Sequence, residues 1–346
     1  MREPVTIVIP HYRAEVLADC LQSLFAHSAR PLRVIVVDDG GGAPSLQEAR
    51  ARFPGIEVIS NEGNRGFSYS CNRGLEAAGT EYSVLLNDDT RVTANWLEPL
   101  IAAAEADEAI AACQPKLLSA ADAGSFDYSG GAGGYIDRLG YTFCRGRLLD
   151  EVETDDGQYD LPADLFWTCG SAMLVRTEAV RRVGLLDLDF FMHFEEIDLC
   201  WRLRLAGYRL VAVPSSVIYH HAGRSLPPAS FRKSYLNHRN NLVMLIKNLP
   251  CRSLTWLLPA RGLLELAAAL NYLLRGRLRA AAAPLAALLW CFTHPLNLLG
   301  RRRRSRGLAT AGTDADRRGV YGGSILVQYF LRGRRRSRDF MAEPGS

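Results

Sequence analysis

The eight cysteines of this 346-residue chain include no Cys-x-x-Cys pair and no His/Cys ligand spacing. Neither a disulfide framework nor a structural zinc site is therefore encoded. No charged lead and apolar signal core precede the first strand pattern, Val5-Thr6-Ile7-Val8-Ile9. The expectation is a reducing cytoplasm rather than secretion. The net charge is only +4, and no nucleic-acid partner is expected. Long clean apolar runs are scarce as well. Leu254 to Leu274 is rich in Leu and Ala but carries Arg261 and Glu265, which makes it a poor membrane span. Arg279 to Leu299 holds about twenty uncharged residues, a spanning length. It is interrupted by Pro284, His294, Pro295 and Asn297.

What is present is ordinary globular composition, 48% hydrophobic and 23% charged, ample for a sizeable core. The first hundred residues alternate strand and helix. Strands are predicted over Val5 to Ile9, Leu32 to Val37, Ile56 to Ser60 and Tyr82 to Leu86. Helices are predicted over Ala14 to Ala26, Ser45 to Phe53, Gly66 to Ala78 and Trp96 to Ala106. Such alternation indicates a parallel sheet with right-handed crossovers. Between Cys113 and Asp160 the pattern loosens into Gly130-Gly131-Ala132-Gly133-Gly134 and an acidic stretch, read as long loops or a mobile flap. A strand at Ala172 to Val175, helices at Thr177 to Val183 and Asp198 to Ala206, and short strands at Tyr208 to Pro214 and Ser216 to Tyr219 follow.

The chemistry sits where apolar runs end. Val34-Ile35-Val36-Val37 runs into Asp38-Asp39-Gly40, and Val84-Leu85-Leu86 into Asn87-Asp88-Asp89. Val217-Ile218-Tyr219 runs into His220-His221, and Glu195-Glu196 precedes Asp198 at a helix start. Ligands of an open α/β sheet bind beyond the carboxyl ends of its strands. A carboxylate at Asp38 or Asp39 can accept from a nucleobase or a ribose hydroxyl. Arg65, in Asn61-Glu62-Gly63-Asn64-Arg65-Gly66-Phe67, can reach a phosphate. Mg2+ or Mn2+ needs only one or two carboxylates beside substrate phosphates and water. Strand alternation places Asn87 and Asp89 on one side. Glu195 and Glu196 can be helix caps, or one of them a general base. His220 can be a metal ligand or a diphosphate contact.

Together these segments resemble the family 2 glycosyltransferases of the GT-A fold, particularly rhamnosyltransferase-like members. The resemblance runs through Val8-Ile9-Pro10-His11-Tyr12, Val36 to Gly40, Asn61 to Phe67 and Leu85 to Thr90. It continues in Gly170-Ser171-Ala172-Met173-Leu174-Val175-Arg176, Val183 to Asp187, Phe191 to Leu199 and His220 to Ser225. His11 and Arg13 stand where the family often has asparagines, Asp88 replaces a frequent proline, and Glu196 replaces the usual aspartate. The resemblance implies a GT-A type, Rossmann-like α/β fold with a mostly parallel sheet flanked by helices. It implies a nucleotide-sugar site at Pro10, Tyr12, Asp38, Asp39, Asn64, Arg65, Gly66, Asn87 and Asp88. It implies Mg2+ or Mn2+ at Asp89 and His220, and a base in Glu195-Glu196, with Glu196 preferred. The implied reaction is inverting transfer of a sugar from a nucleoside diphosphate to a saccharide or lipid-linked acceptor. Rhamnose, another hexose and galactofuranose remain open as the sugar. A nucleotidyltransferase would carry a Gly-rich, Arg/Lys-containing loop after its first strand, where this chain reads Pro10-His11-Tyr12-Arg13. A non-catalytic sugar-nucleotide scaffold would not need acids at every strand end.

Residues 1–230 are thus expected to form the catalytic domain, with a nucleotide half over 1–112 and an acceptor half over 113–230. Residues 231–300 are read as a helical region lying in a membrane interface, with a true span or a packed helical domain as the alternatives. Residues 301–346, with Arg301-Arg302-Arg303-Arg304, Arg306, Arg317-Arg318, Arg332 and Arg334-Arg335-Arg336, are read as a basic tail. Its expected partner is an anionic membrane surface, which would make the protein peripheral on the inner face of the cell membrane. A solvated disordered end after Gly333 is the alternative.

Overall fold

The computed structural model describes residues 4–221, 230–310 and 318–341. Ala222 to Ser225 of the last resembling segment and Arg317 of the basic tail lie outside the described residues. The chain opens with β1 (Val5–His11), α1 (Leu17–His27), β2 (Leu32–Asp38), α2 (Pro44–Arg52), β3 (Glu57–Ser60) and α3 (Phe67–Ala77). β4 (Tyr82–Leu86), β5 (Thr90–Val92), α4 (Glu98–Ala106) and β6 (Ile110–Ser119) follow. β1, β2 and β4 are largely buried apolar runs and α1 and α3 each bury one face, so the local periodicity and the global packing agree.

Four short strands come next: β7 (Gly134–Asp137), β8 (Thr142–Cys144), β9 (Arg147–Leu148) and β10 (Glu151–Val152). The chain then runs through β11 (Ala163–Asp164), β12 (Ala172–Arg176), α5 (Thr177–Arg182), α6 (Glu195–Leu205) and β13 (Arg209–His220). α7 (Phe231–Asn248), α8 (Cys251–Leu274), α9 (Leu278–Thr293), α10 (Pro295–Arg306) and β14 (Val320–Tyr321) complete it.

The main sheet has the order β11-β13-β6-β12-β4-β1-β2-β3, with β5 paired to β13. β1 pairs parallel to β2 and β4, β2 to β3, and β6 to β13. β12 alone among the longer strands is reversed, antiparallel to both β4 and β6. The carboxyl ends of β1, β2, β4 and β13 therefore open on one edge, which gathers residues distant in sequence. β13 is continuous where two strands are predicted. A register shift between Val213 and Val217 marks a bulge at Pro214, whose missing N–H suits that position.

The region read as loops or a mobile flap is instead a second sheet, β10-β9-β8-β7-β14. Its glycines serve close packing. A Cβ on Gly134 would sit 2.1 Å from the Trp167 ring. The C-terminal segment is likewise packed rather than a solvated tail. β14 pairs with β7, Phe340 packs on Phe143 and Tyr321, and buried Glu153 accepts hydrogen bonds from the Ser337 backbone N–H and hydroxyl. Pro295 breaks the predicted 279–299 helix: α9 and α10 meet at 80°.

Candidate active site

The ends of β1 and β4 meet through His11, buried at the sheet edge. Its Nδ1 lies 2.8 Å from Asp88 Oδ2 and its Nε2 lies 3.3 Å from Ser45 Oγ. Burial pushes the Asp88 carboxyl up, against the lowering effect of His11. Asp88 thus supports the β1 end from below rather than pointing outward. Pro10 is half-buried there and Tyr12 is 42% exposed.

Asp38 and Asp39 both fix loops. Asp38 Oδ1 accepts from Gly41 N at 3.0 Å. Asp39 Oδ1 accepts from Asn61 Nδ2 and Arg65 N at 2.9 and 2.8 Å, and its Oδ2 from Gly66 N at 2.9 Å. Asp39 therefore sets the loop that leads into α3. It leaves exposed Asn64 and Arg65 on the rim, with the guanidinium 4.8 Å from the Tyr69 ring centroid. Gly66 needs to be glycine: φ is +90°, and a Cβ would meet Phe191 at 2.7 Å.

Asp89 turns the other way from Asp88. Its Oδ1 lies 3.1 Å from His220 Nε2, and Asn87 Nδ2 lies 3.5 Å from the same nitrogen. His220 Nδ1 lies 3.0 Å from Asp127 Oδ1. Burial alone would lower the imidazole pKa, but the hydrogen bonds and charges of Asp127 and Asp89 raise it to about 10. The positive charge so held suits a diphosphate contact, one of the two roles open to His220 in the sequence. Sequence reasoning missed Asp127, because it sits in the glycine-rich stretch that lacked any period.

Among the described residues no three His, Cys, Asp or Glu side chains cluster as a preformed metal site. Asn87 Oδ1 is nevertheless buried with no hydrogen-bond donor, and the buried Asp89 Oδ1 faces His220 Nε2. That hard-oxygen pair fits a Mg2+ or Mn2+ ion that takes its other ligands from phosphate and water. Grooves of about 450 and 500 Å³ flank this point, one beside Asp19, Asp89 and Arg91, the other beside Asp122, Asp127 and Tyr128.

The second acidic centre is built on strain. Phe191, His193 and Phe194 all have positive φ, 64°, 68° and 72°. Three non-glycine residues in the left-handed region cost about 1–3 kcal/mol each. They form a strap that turns directly into α6, three residues earlier than predicted, so that Glu195 and Glu196 occupy its first turn. Glu195 is 5% exposed, whereas Glu196 keeps part of its surface, and the Oε2 atoms of both are buried without a partner. Burial, then the charge of Glu196, pushes Glu195 well above the usual carboxylate range. Burial also raises Glu196. Two neighbouring carboxyls raised to different extents can divide the work of holding a proton and accepting one. Neighbouring His193 is driven down to about 4 by burial and the charge of Lys233, so its imidazole is neutral. Gly66 against Phe191, and Gly170 with its Cβ direction 3.5 Å from Glu196 Cβ, join this centre to the nucleotide-side loops.

Asp198 stands in the first turn of α6, at the helix start as expected, and has a structural role. It pairs with Arg202 and Lys247, each at 2.8 Å, and accepts from Asn248 Nδ2 at 2.9 Å. Burial opposes ionisation, yet Lys247 and Arg202 hold its pKa at about 2.

Acids on the carboxyl edge of a mixed sheet with one reversed strand are the arrangement of the GT-A fold. The same architecture is seen in GalNAc-T7, whose crystal structure contains UDP, GalNAc and Mn2+. The two share a TM-score of 0.55 and 17% identity over 71% of this chain and 48% of that one. The sequence model of glycosyl transferase family 2 matches residues 6–184, and the chain belongs to that family. The pre-mycofactocin glycosyltransferase of Mycobacterium tuberculosis is 30% identical over 238 residues, 67% of this chain. The match spans only 45% of that relative. The N-acetylglucosaminyl-diphospho-decaprenol L-rhamnosyltransferase of the same organism is 27% identical, over 65% of this chain and 78% of that protein. Rhamnosyltransferase WbbL of Escherichia coli is 29% identical, over 65% and 87%.

Proposed function

We propose that this protein is an inverting, metal-dependent glycosyltransferase. It moves a sugar from a nucleoside diphosphate to a saccharide or lipid-linked acceptor in bacterial polysaccharide or glycolipid synthesis. The observation that carries the reading is the Glu195–Glu196 pair, two buried carboxylates with unpartnered oxygens beside the nucleotide-side loops. Rhamnose is the first sugar to test, because two of the relatives above are rhamnosyltransferases. Other hexoses and galactofuranose follow.

Glu196 takes the acceptor hydroxyl proton as that oxygen bonds to the anomeric carbon from the face opposite the leaving diphosphate. Glu195, holding its own proton, keeps the pair from carrying two charges. Arg65 and His220 supply positive charge to the diphosphate oxygens. Asn87 and Asp89 would hold Mg2+ or Mn2+, which when bound neutralises charge on the departing diphosphate. Purified protein should therefore show a higher melting temperature with Mn2+ plus a nucleoside diphosphate than with either alone, since a ligand specific to the folded state raises the midpoint. No shift with any nucleoside diphosphate would contradict a donor site.

The C-terminal helices support a lipid-linked acceptor because their amphipathicity is reversed. α8 is the one helix among the described residues long and apolar enough to cross a membrane. It buries Leu257, Arg261, Glu265 and Ala269. Arg261 lies 2.7 Å from Glu265 and 3.9 Å from the Tyr141 ring centroid, and His238 lies 2.5 Å from Glu265. Its outer face carries exposed Leu263, Leu270 and Leu274, the last at 80%, and α9 adds Leu289 and Phe292, the latter at 84%. A water-facing helix has the opposite pattern; polar groups inward and large apolar groups outward suit lipid. The mid-helix contact with Tyr141 keeps α8 on the catalytic half, so it lies in the interface rather than across it. Exposed Arg275, Arg277, Arg279, Arg303 and Arg304 ring this face, each worth about 1 kcal/mol near anionic lipid. In flotation assays the protein should bind vesicles containing anionic lipid, and less at high salt. Protein that stays unbound in both anionic and neutral vesicles, without detergent, would rule out the membrane partner.

A further inference from the structure

The strained strap before α6 is held from outside, by α7. Asn240 is 1% exposed, and its Nδ2 donates to the carbonyls of Phe190, Met192 and His193 at 3.0, 3.0 and 2.8 Å. Its Oδ1 accepts from Arg239 Nε and Nη2 at 2.8 and 2.6 Å. Carbonyls on one side and guanidinium donors on the other fix which way the amide points. Arg239 Nη2 also donates to Asp189 O at 2.7 Å. The three accepting carbonyls flank Phe191 and His193, two of the residues with positive φ. Left-handed residues turn their carbonyls out of the regular pattern. Buried carbonyls so turned need donors, or each costs about 1–3 kcal/mol.

We propose that Asn240 is the positioning residue of the proton-accepting centre: its carboxamide fastens the strap whose last turn aims Glu195 and Glu196. It touches neither donor nor acceptor and acts only through the strap backbone. The inference rests on the proposed base role of the glutamate pair. It goes beyond that role by placing a determinant of catalysis on α7, outside the stretch matched by the family model. The nearest replacements each lose part of this work. Aspartate lacks the N–H donors, leucine lacks both halves, and glutamine puts the amide one methylene too far.

The test uses the full chain carrying Asn240→Asp and Asn240→Ala. Donor binding is read by the nucleoside-diphosphate melting shift, turnover by diphosphate release with acceptor, and strap opening by hydrogen exchange at residues 190–194. Expected is a fall in kcat of about 10- to 100-fold, because a misplacement near 1 Å costs about that much. KM for the donor should change little, and strap exchange should quicken. A merely structural residue would lower the melting temperature and leave kcat per folded molecule unchanged; that outcome, or unaltered strap exchange, overturns the proposal. Should both variants fail to fold, Arg239→Lys removes the fork that orients the carboxamide and must give the same split between kcat and KM; an unchanged kcat there also overturns it. If Glu196→Gln and Glu195→Gln both retain full turnover, the base reading fails. The strap exchange of Asn240→Ala then still decides whether Asn240 fastens the strap.

Discussion

Glu196→Gln should lower turnover by about 10²-fold or more, close to 2.7 kcal/mol of lost transition-state stabilisation. The amide keeps the size of the side chain and cannot take a proton, so nucleotide binding persists. Glu195→Gln should be far milder. Burial and the neighbouring charge already keep Glu195 protonated, and glutamine resembles a neutral acid. The same asymmetry gives a pH dependence. A base raised by burial must be ionised to act, so activity is lost as pH falls through the raised pKa of Glu196, near neutrality rather than near 4. Removing Glu195 takes a neighbouring carboxyl away, so Glu195→Gln should leave this limb in place or move it to lower pH. Loss of turnover in Glu195→Gln with normal turnover in Glu196→Gln would reverse the assignment.

Asp89→Ala should abolish transfer and erase the Mn2+-dependent part of the nucleoside-diphosphate melting shift. It removes a buried carboxylate at the end of β4, which is one of the two acids that keep His220 charged. Asp88→Asn is the contrasting variant. Asp88 is turned to His11, so it should keep the Mn2+ response while loosening the β1 end. An Asp89→Ala protein with full activity in the presence of a chelator would remove the metal from the account.

The nucleotide half was legible because its signals are local. Buried β-branched runs, helical spacing and acids at strand ends place β1 to β4 and their loops within a few residues. The acids were also found, with Asn87 and Asp89 on one side by alternation, but not what each side faces. Asp88 and Asp89 are neighbours in the chain, yet one serves β1 and the other faces β13, a split that depends on the pairing of strands far apart in sequence. Asp127 could not be read, since the glycines around it look like loop until Trp167 and Arg145 are seen packed on them. The positive φ values of the strap leave little mark in the sequence, since Phe191 and Phe194 do not favour that conformation and one histidine, His193, is a weak signal for it. Asn240 lies 47 residues from His193 and touches it only in the folded chain. The C-terminal helices were visible as composition. Which face meets the protein was not, because Arg261 and Glu265 count against a membrane role until they are seen buried and paired. The same helices are tied to one another: Arg302 donates from α10 to Ile246 O of α7 at 2.7 Å, and Arg306 to Asn248 O at 3.1 Å.

The most direct measurement is the anomeric configuration of the product. Full-length protein would be incubated with Mn2+, a nucleoside-diphosphate sugar and a polyprenyl-diphosphate-linked saccharide, and the glycoside formed would be read by NMR coupling constants. The account predicts acceptor-dependent release of nucleoside diphosphate and a product whose anomeric configuration is opposite to that of the donor. Retained configuration, or no acceptor-dependent release with dTDP-rhamnose, UDP-hexoses or UDP-galactofuranose, would contradict it.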